Sequence, residues 1–263
     1  MLNPQIILLK DIIKRDMESK FKGSLLGSLW VVVTPLMLLL VYFYVFSVVF
    51  RTRWSLPQTG EAAGSALSAL ILFSGLTCFN FFSECFSRAP GLMRENTSFI
   101  KKIVFPLHLL PFSAIGLALF NMVISYGLLF VLYFLIIGIP PITAFLLPIA
   151  LLPFILFTGG ITFLLASLGV YLPDIKQIVP PISMAVMFLS PIFYPIDMVP
   201  ASLKDFVMLN PFTWFLEDVR SVLFNGIIPP FGSFGIQLLS AGLFFVLSIL
   251  FFQKTKKGFS DVL

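Results

Sequence analysis

Charge is what this sequence has least of. Only 11% of its 263 residues are charged, against 59% apolar, where a soluble domain carries roughly 25% charged residues. So little polar surface cannot cover a water-soluble core, and an ordinary soluble domain is excluded. Histidine occurs once and cysteine twice. Cys78 and Cys85 stand seven positions apart in one apolar block, about 10 Å apart on a helix and beyond disulfide reach. The dipeptide Gly-Lys occurs nowhere, which excludes a phosphate-binding loop of the form G-x-x-x-x-G-K-[ST]. If ATP drives this protein, the ATPase is a separate polypeptide. The twelve acidic residues are scattered, with no two at metal-ligand spacing inside an apolar block, so neither a catalytic nor a metal site is expected. His108, close to Pro106 at the start of an apolar block, reads as a structural residue of the interface.

What is present is apolar sequence in long blocks. A bilayer-spanning helix needs about 20 residues, and six blocks meet that need or approach it: about Leu26–Phe50, Ala66–Phe86, Leu107–Ile137, Ala144–Leu172, Ile178–Tyr194 and Phe234–Phe252. Ahead of them, Ile6, Leu9, Ile13, Met17 and Phe21 recur every three or four residues while Lys10, Lys14, Arg15, Glu18 and Lys22 fill the rest of the wheel. That pattern predicts an amphipathic helix lying in the membrane interface, or a solvated helix packing on a partner. No apolar core precedes it, so no cleavable leader is expected.

Basic residues orient the blocks, because cytoplasmic loops retain Lys and Arg. Lys10, Lys14, Arg15, Lys20 and Lys22 precede the first block; Arg88, Arg94, Lys101 and Lys102 lie between the second and third. Lys176 separates the fourth and fifth, and Lys254, Lys256 and Lys257 follow the sixth. Of 17 basic residues, only Arg51, Arg53, Lys204 and Arg220 fall on the other side. Six spans with both termini in the cytoplasm fit this split. The net charge of +5 is thereby membrane-directed, and no nucleic-acid partner is implied.

Residues 197–233 break the pattern. Ser202 followed by Asp205 resembles a capping box opening a helix that runs to about Leu209. Asn210–Pro211 reads as N-cap and first helical residue, and Asn225–Gly226 as the matching stop. Phe212, Phe215, Leu216, Val219 and Leu223 form one apolar stripe between them. Two short helices dipping into the outer leaflet satisfy their own backbone groups there. Glu84 is the one acid well inside an apolar block; Arg88 follows at the i+4 position that favours an ion pair. A structural pair and a role in gating or coupling both remain open for it. Aromatic residues reach 16%, with 32 phenylalanines. Tyr42 and Phe46 share a face of the first span, and Phe188, Phe193 and Tyr194 crowd the fifth. Rings of this kind either face lipid or offer sugars a stacking surface.

The stretch from Arg15 through Lys20, Gly23-Ser24-Leu25-Leu26-Gly27-Ser28-Leu29-Trp30 and Pro35-Leu36 resembles ABC-2 type permeases that export bacterial surface polysaccharides. So do Asn96 through Pro106, Ser190-Pro191-Ile192-Phe193-Tyr194-Pro195 and Leu209-Asn210-Pro211-Phe212. The resemblance implies an all-α membrane protein of six transmembrane helices, a single permease domain over 1–263. Its parts are an N-terminal interface helix (1–23), spans one to five (24–196) with a cytoplasmic coupling helix, two outer gate helices (197–233), and a last span with its tail (234–263). It further implies a half-transporter in the bacterial inner membrane that pairs with a second copy of itself and with two copies of an ATPase subunit carrying ATP and magnesium. The substrate is a lipid-linked polysaccharide, O-antigen foremost, with capsular polysaccharide, teichoic acid, a drug or a small lipid as alternatives; a membrane transferase is less favoured. Residues Pro90–Lys102 correspond to the coupling helix, so Arg94, Glu95, Asn96, Phe99, Lys101 and Lys102 are expected at the ATPase. The first and fifth spans correspond to the channel wall, so Trp30, Tyr42, Phe46, Phe188, Phe193 and Tyr194 are expected to line it. Relatives often carry Arg-Asp where this chain has Pro173-Asp174, which weakens a role in ATPase contact at that position.

Overall fold

A computed structural model of the chain describes residues 4–45, 61–100 and 105–263, and those residues are mostly helical, with no strand among them. In chain order the helices are α1 (Pro4–Phe21), α2 (Trp30–Phe43), α3 (Glu61–Arg88), α4 (Leu92–Glu95), α5 (Thr97–Ile100), α6 (Leu109–Ile136) and α7 (Leu147–Ala150). They continue as α8 (Leu152–Tyr171), α9 (Ile175–Leu189), α10 (Ala201–Met208), α11 (Pro211–Arg220), α12 (Phe231–Thr255) and α13 (Phe259–Val262). Four continuous helical stretches are long and apolar enough to cross a membrane: 66–95, 109–136, 142–171 and 231–262. The first and fifth expected spans correspond to shorter apolar helices, α2 and α9.

The helix of the fifth apolar block is shorter than the block for a local reason. Ser190 precedes Pro191, and a residue before proline is pushed out of the helical region; Ser190 is extended, at φ −93° and ψ 148°. α9 therefore stops at Leu189; it begins at Ile175, earlier than expected. Its 15 residues measure about 22 Å, against roughly 30 Å for a hydrocarbon core. The first block forms helix from Trp30, after a 3-10 turn at Gly27–Leu29; its expected end at Phe50 lies outside the described residues.

α3 is the hub. It packs against α2, α6, α8, α9 and α11, and from Ala66 to Phe82 every residue except Asn80 is buried. Lipid is as apolar as leucine, so close packing and polar contacts, not hydrophobicity alone, must hold such a bundle together. Small residues make the approach possible. A Cβ on Gly160 would stand 2.6 Å from the Phe244 ring, and one on Gly159 2.8 Å from Phe245, both rings belonging to α12. A Cβ on Gly169 of α8 would run into the backbone of Pro90, just past the end of α3. Most hydroxyls inside the bundle are satisfied within their own helix: Ser74 on the Ile71 carbonyl, Thr77 on Phe73, Ser113 on Leu110, Ser167 on Phe163. Tyr126 of α6 is an exception that reaches across, its hydroxyl donating to the Ser74 carbonyl at 3.2 Å and lying 3.0 Å from Cys78 Sγ. Cys78 and Cys85 are free thiols, both buried, as their spacing predicts.

α1 lies on α6, with Ile12 buried and Ile13 seated over Gly116. At the other end, Phe259 of α13 is fully buried against Phe252 and Tyr171. The Tyr171 hydroxyl donates to the Thr255 carbonyl at 2.8 Å, so the C-terminal turn is clasped to the end of α8.

Candidate coupling surface and aromatic path

The segment between α3 and α6 is built around what passes beneath α8. Pro90 and Gly91 are buried and lead into α4, whose Arg94 guanidinium donates to the carbonyls of Gly169 (3.1 Å) and Val170 (2.8 Å). Those carbonyls belong to the last turn of α8, where acceptors lack helical partners and the helix dipole is negative, so a cation there is doubly favoured. Arg94 thus ties two elements of this chain together; its guanidinium is not a free surface charge. Glu95 pairs with Lys176 of α9 at 3.0 Å; both are well exposed, so the pair contributes on the order of 0.5 kcal/mol. Asn96 turns its amide back to the Leu92 carbonyl at 2.9 Å, closing α4. Phe99, half-buried, stacks on Phe105 with centroids 4.6 Å apart, and the Arg15 guanidinium of α1 stands 5.4 Å from its ring centre, within cation–π range. Lys101 and Lys102 lie outside the described residues.

The expected Glu84–Arg88 pair does not form; both groups pair with α1 instead. Glu84 meets Lys20 at 3.1 Å and accepts a 2.8 Å hydrogen bond from the Asn121 amide of α6. Arg88 pairs with Asp16, which also takes Arg15 at 3.0 Å. The physical reason is register. Asp16 and Lys20 are one turn apart on α1, Glu84 and Arg88 one turn apart on α3, and the helices present them in opposite order. Two cross-helix pairs then fix a helix that an intrahelical pair would leave unattached.

Of the expected channel aromatics, the structure gathers three. The rings of Phe188 and Phe193 lie 5.9 Å apart, tilted by 31°, and the Tyr194 hydroxyl reaches the Phe188 carbonyl at 3.4 Å. Phe188 is exposed, Phe193 and Tyr194 half-buried. Tyr42 is half-buried against the core, and Phe46 lies outside the described residues. Trp30 donates its indole N–H to Ser24 Oγ at 2.8 Å and lines a cavity bounded by α1, α2, α3 and α6.

The two helices of 197–233 form as α10 and α11, with one correction. Pro200 occupies the N-cap of α10 and no side chain caps it, so the Ser202–Asp205 capping box is absent: Ser202 falls inside the helix that proline has already started. Asn210 does cap α11, its Oδ1 accepting from the Phe212 N–H at 3.0 Å, and Gly226 ends the following π turn at φ +68°, a left-handed conformation that favours glycine. All five residues of the apolar stripe are buried. Phe212 packs on Phe82 and Phe154 at 5.3 and 5.1 Å.

Arg220, expected among the outward basic residues, is only 4% exposed. It donates to the Ile192 carbonyl at 3.0 Å and to Glu217 at 3.2 Å. Asn210 adds a second tie to the same turn, its amide donating to Ser190 Oγ at 2.9 Å. The signal was present: Arg220 stands at i+4 from Leu216, on the buried stripe. At the opposite end, His108 precedes α6 edge-on to Phe112; partial burial, with Lys256 nearby, holds its imidazole below the usual histidine range.

Residues 8–224 match the family described as ABC-2 type transporter. The chain is 24% identical over 258 residues to the O-antigen export system permease protein RfbA of Klebsiella pneumoniae, covering 97% of this chain and 95% of that one. It is 26% identical over 224 residues to RfbA of Myxococcus xanthus, covering 84% and 82%. It is also 23% identical over 251 residues to the polysialic acid transport protein KpsM of Escherichia coli, covering 93% and 90%.

Proposed function

Because the chain belongs to the ABC-2 type transporter family, we propose that it is the membrane permease of an ATP-driven exporter that moves lipid-linked O-antigen polysaccharide across the bacterial inner membrane. The observation that carries this reading is the similarity to relatives named as O-antigen export permeases, which extends over nearly the whole length of both chains. The KpsM relative makes a capsular polysaccharide the second candidate substrate. In this reading α2, α3, α6, α7–α8, α9 and α12 cross the bilayer with both termini in the cytoplasm. Two copies pair, and two ATPase subunits supply ATP and magnesium.

The geometry supports a mechanism. In this reading α4 and α5 form the surface on which the ATPase docks. Arg94 joins them to α8, Glu95 to α9, and Arg15 of α1 to Phe99. A push on this segment is delivered to three helices together. At the other side of the membrane, α11 rests on α3 and α8 and is held to the end of α9 by Arg220 and Asn210. Movement of α3 and α9 is thereby passed to α10–α11, which close the outer mouth. The aromatic cluster of Phe188, Phe193 and Tyr194 sits at that mouth and offers ring faces to passing sugars.

The test is genetic and biochemical. Cells lacking this chain should lose surface polysaccharide while accumulating its lipid-linked precursor, and the wild-type gene should restore export only with an active ATPase partner. Normal surface polysaccharide in the deletion strain overturns the reading.

A further inference from the structure

We propose that the cavity between α1, α2, α3 and α6 is a binding site for a single neutral sugar ring. It encloses about 180 Å³ and is lined by Lys20, Trp30, Thr34, Asn80, Glu84 and Asn121, among others. The proposal rests on the export reading, because it assigns the occupant to the substrate that reading names.

Three observations converge. Asn80 is the one exposed residue between Ala66 and Phe82 in the most buried helix of the bundle, and its amide is exposed because it faces this space. No hydrogen bond holds that amide among the described residues, nor the Thr34 hydroxyl, whereas Ser74, Thr77 and Ser113 are closed on carbonyls of their own helices. An amide that lines a polar cavity with no protein partner offers a donor and an acceptor to a ligand with polar groups of its own. Second, the charges here cancel: Lys20 is engaged by Glu84 at 3.1 Å, and Glu84 takes the Asn121 amide on its other oxygen. No uncommitted cation faces the cavity to recognise a phosphate, which selects an uncharged occupant. Third, Trp30 stands in the wall with its N–H already given to Ser24, so the indole contributes ring surface and not a donor. A ring face beside amides, a hydroxyl and a hydrogen-bonded carboxylate suits a sugar, apolar on its C–H faces and polar at its rim. The volume admits one ring, so this is a register point along the glycan, distinct from the aromatic cluster at α9.

The permease is assembled with its ATPase in nanodiscs in a Trp54→Phe, Trp214→Phe background, and the emission of the same assembly carrying Trp30→Phe is subtracted so that the difference reports Trp30. Glucose, galactose, mannose, rhamnose and N-acetylglucosamine are titrated singly, with inorganic phosphate in parallel. At least one sugar should change Trp30 emission saturably, with half-saturation at roughly 1–10 mM, as expected of a weak monosaccharide complex. Asn80→Leu keeps about the same shape, removes the amide and should abolish the response. Thr34→Val keeps the shape and should weaken it about tenfold, the worth of one hydrogen bond. A Trp30 response to phosphate alone, to no sugar, or to sugar equally in both variants overturns the proposal. Surface polysaccharide in cells carrying the same variants is read separately. If export requires the chain but no sugar perturbs Trp30, the cavity proposal alone falls. If deletion of the chain leaves export intact, the export reading falls and the titration still decides the cavity.

Discussion

The cross-helix ion pairs between α1 and α3 lend themselves to a charge-swap experiment. At 3.1 Å the Lys20–Glu84 attraction is about 5 kcal/mol gross at an effective dielectric constant of 20. Desolvation and side-chain ordering cancel most of that. The carboxylates are the more sheltered partners: Asp16 is 11% exposed and Glu84 26%. A net coupling of about 1–2 kcal/mol per pair follows, a factor of roughly 5 to 30 in the balance between docked and released α1. Arg88→Asp places two carboxylates face to face and should release α1; Asp16→Arg should do the same. The double variant Asp16→Arg, Arg88→Asp restores opposite signs and should recover most of the loss. The assay is the reaction rate of a cysteine placed at Ile12, on the buried face of α1, with a water-soluble thiol reagent, alongside the thermal midpoint of the purified protein. If the double variant is no better than the sum of the singles, the two residues are uncoupled. If instead Glu84→Gln couples to Arg88→Met and Asp16→Asn does nothing, the intrahelical pair exists after all and the register argument is wrong.

Gly169→Ala should impair assembly or lower the thermal midpoint, because the added carbon meets Pro90 backbone that has nowhere to go, whereas Gly127→Ala, with open space around it, should be neutral. Arg220→Met should cost about 2–4 kcal/mol, since it removes a buried charged donor from the Ile192 carbonyl; Glu217→Gln, on the exposed side of that network, should cost under about 1 kcal/mol, and equal midpoints for the two variants would count against the tie. Cysteines at Lys10 and Lys256 should react with an impermeant reagent only in opened cells, and one at Ser233 in intact cells; labelling of Lys256 from outside refutes the six-span orientation. Replacing Phe188 and Phe193 by leucine keeps the apolar area, so normal surface polysaccharide at normal permease levels would assign these rings to packing and remove them from the path.

How far the residues foretold the structure depended on how far apart the interacting groups lie. The start of α11 and the end of the π turn that continues it were legible because Asn210–Pro211 and Asn225–Gly226 act on their own backbone within a few residues. The early stop of α9 was equally local, written in Ser190–Pro191, but the apolar run past it masked the signal. Ser202 misled because Pro200 can start a helix unaided, leaving the serine nothing to cap. The Glu84 and Arg88 partners were beyond local reasoning: Lys20 and Asp16 are 64 and 72 positions away, and only the docking of α1 brings them in. Arg94 was expected at the ATPase from its place in the chain, yet its first bonds are to α8 carbonyls some 75 positions on. The cavity lined by Asn80 and Asn121 needed four helices in place before it existed.

The self-bonded hydroxyls of α3 bear on how this chain is made. A span leaving the translocon meets lipid before it meets its neighbours, and every unsatisfied polar group it carries then resists partition. Ser68, Ser74 and Thr77 carry their acceptor with them, one turn back on the same helix, so they can enter the bilayer without a companion. Asn80 and Glu84 cannot: Glu84 finds its partners only on α1 and α6. α1 is already synthesised when α3 emerges, but α6 is not. The order of synthesis therefore lets Lys20 shelter Glu84 at once and leaves Asn121 to arrive later. A nascent chain arrested before α6 should hold α3 in the membrane when α1 is intact and lose it when Lys20 is methionine, which would make the amphipathic leader an internal chaperone for the most deeply buried helix of the bundle.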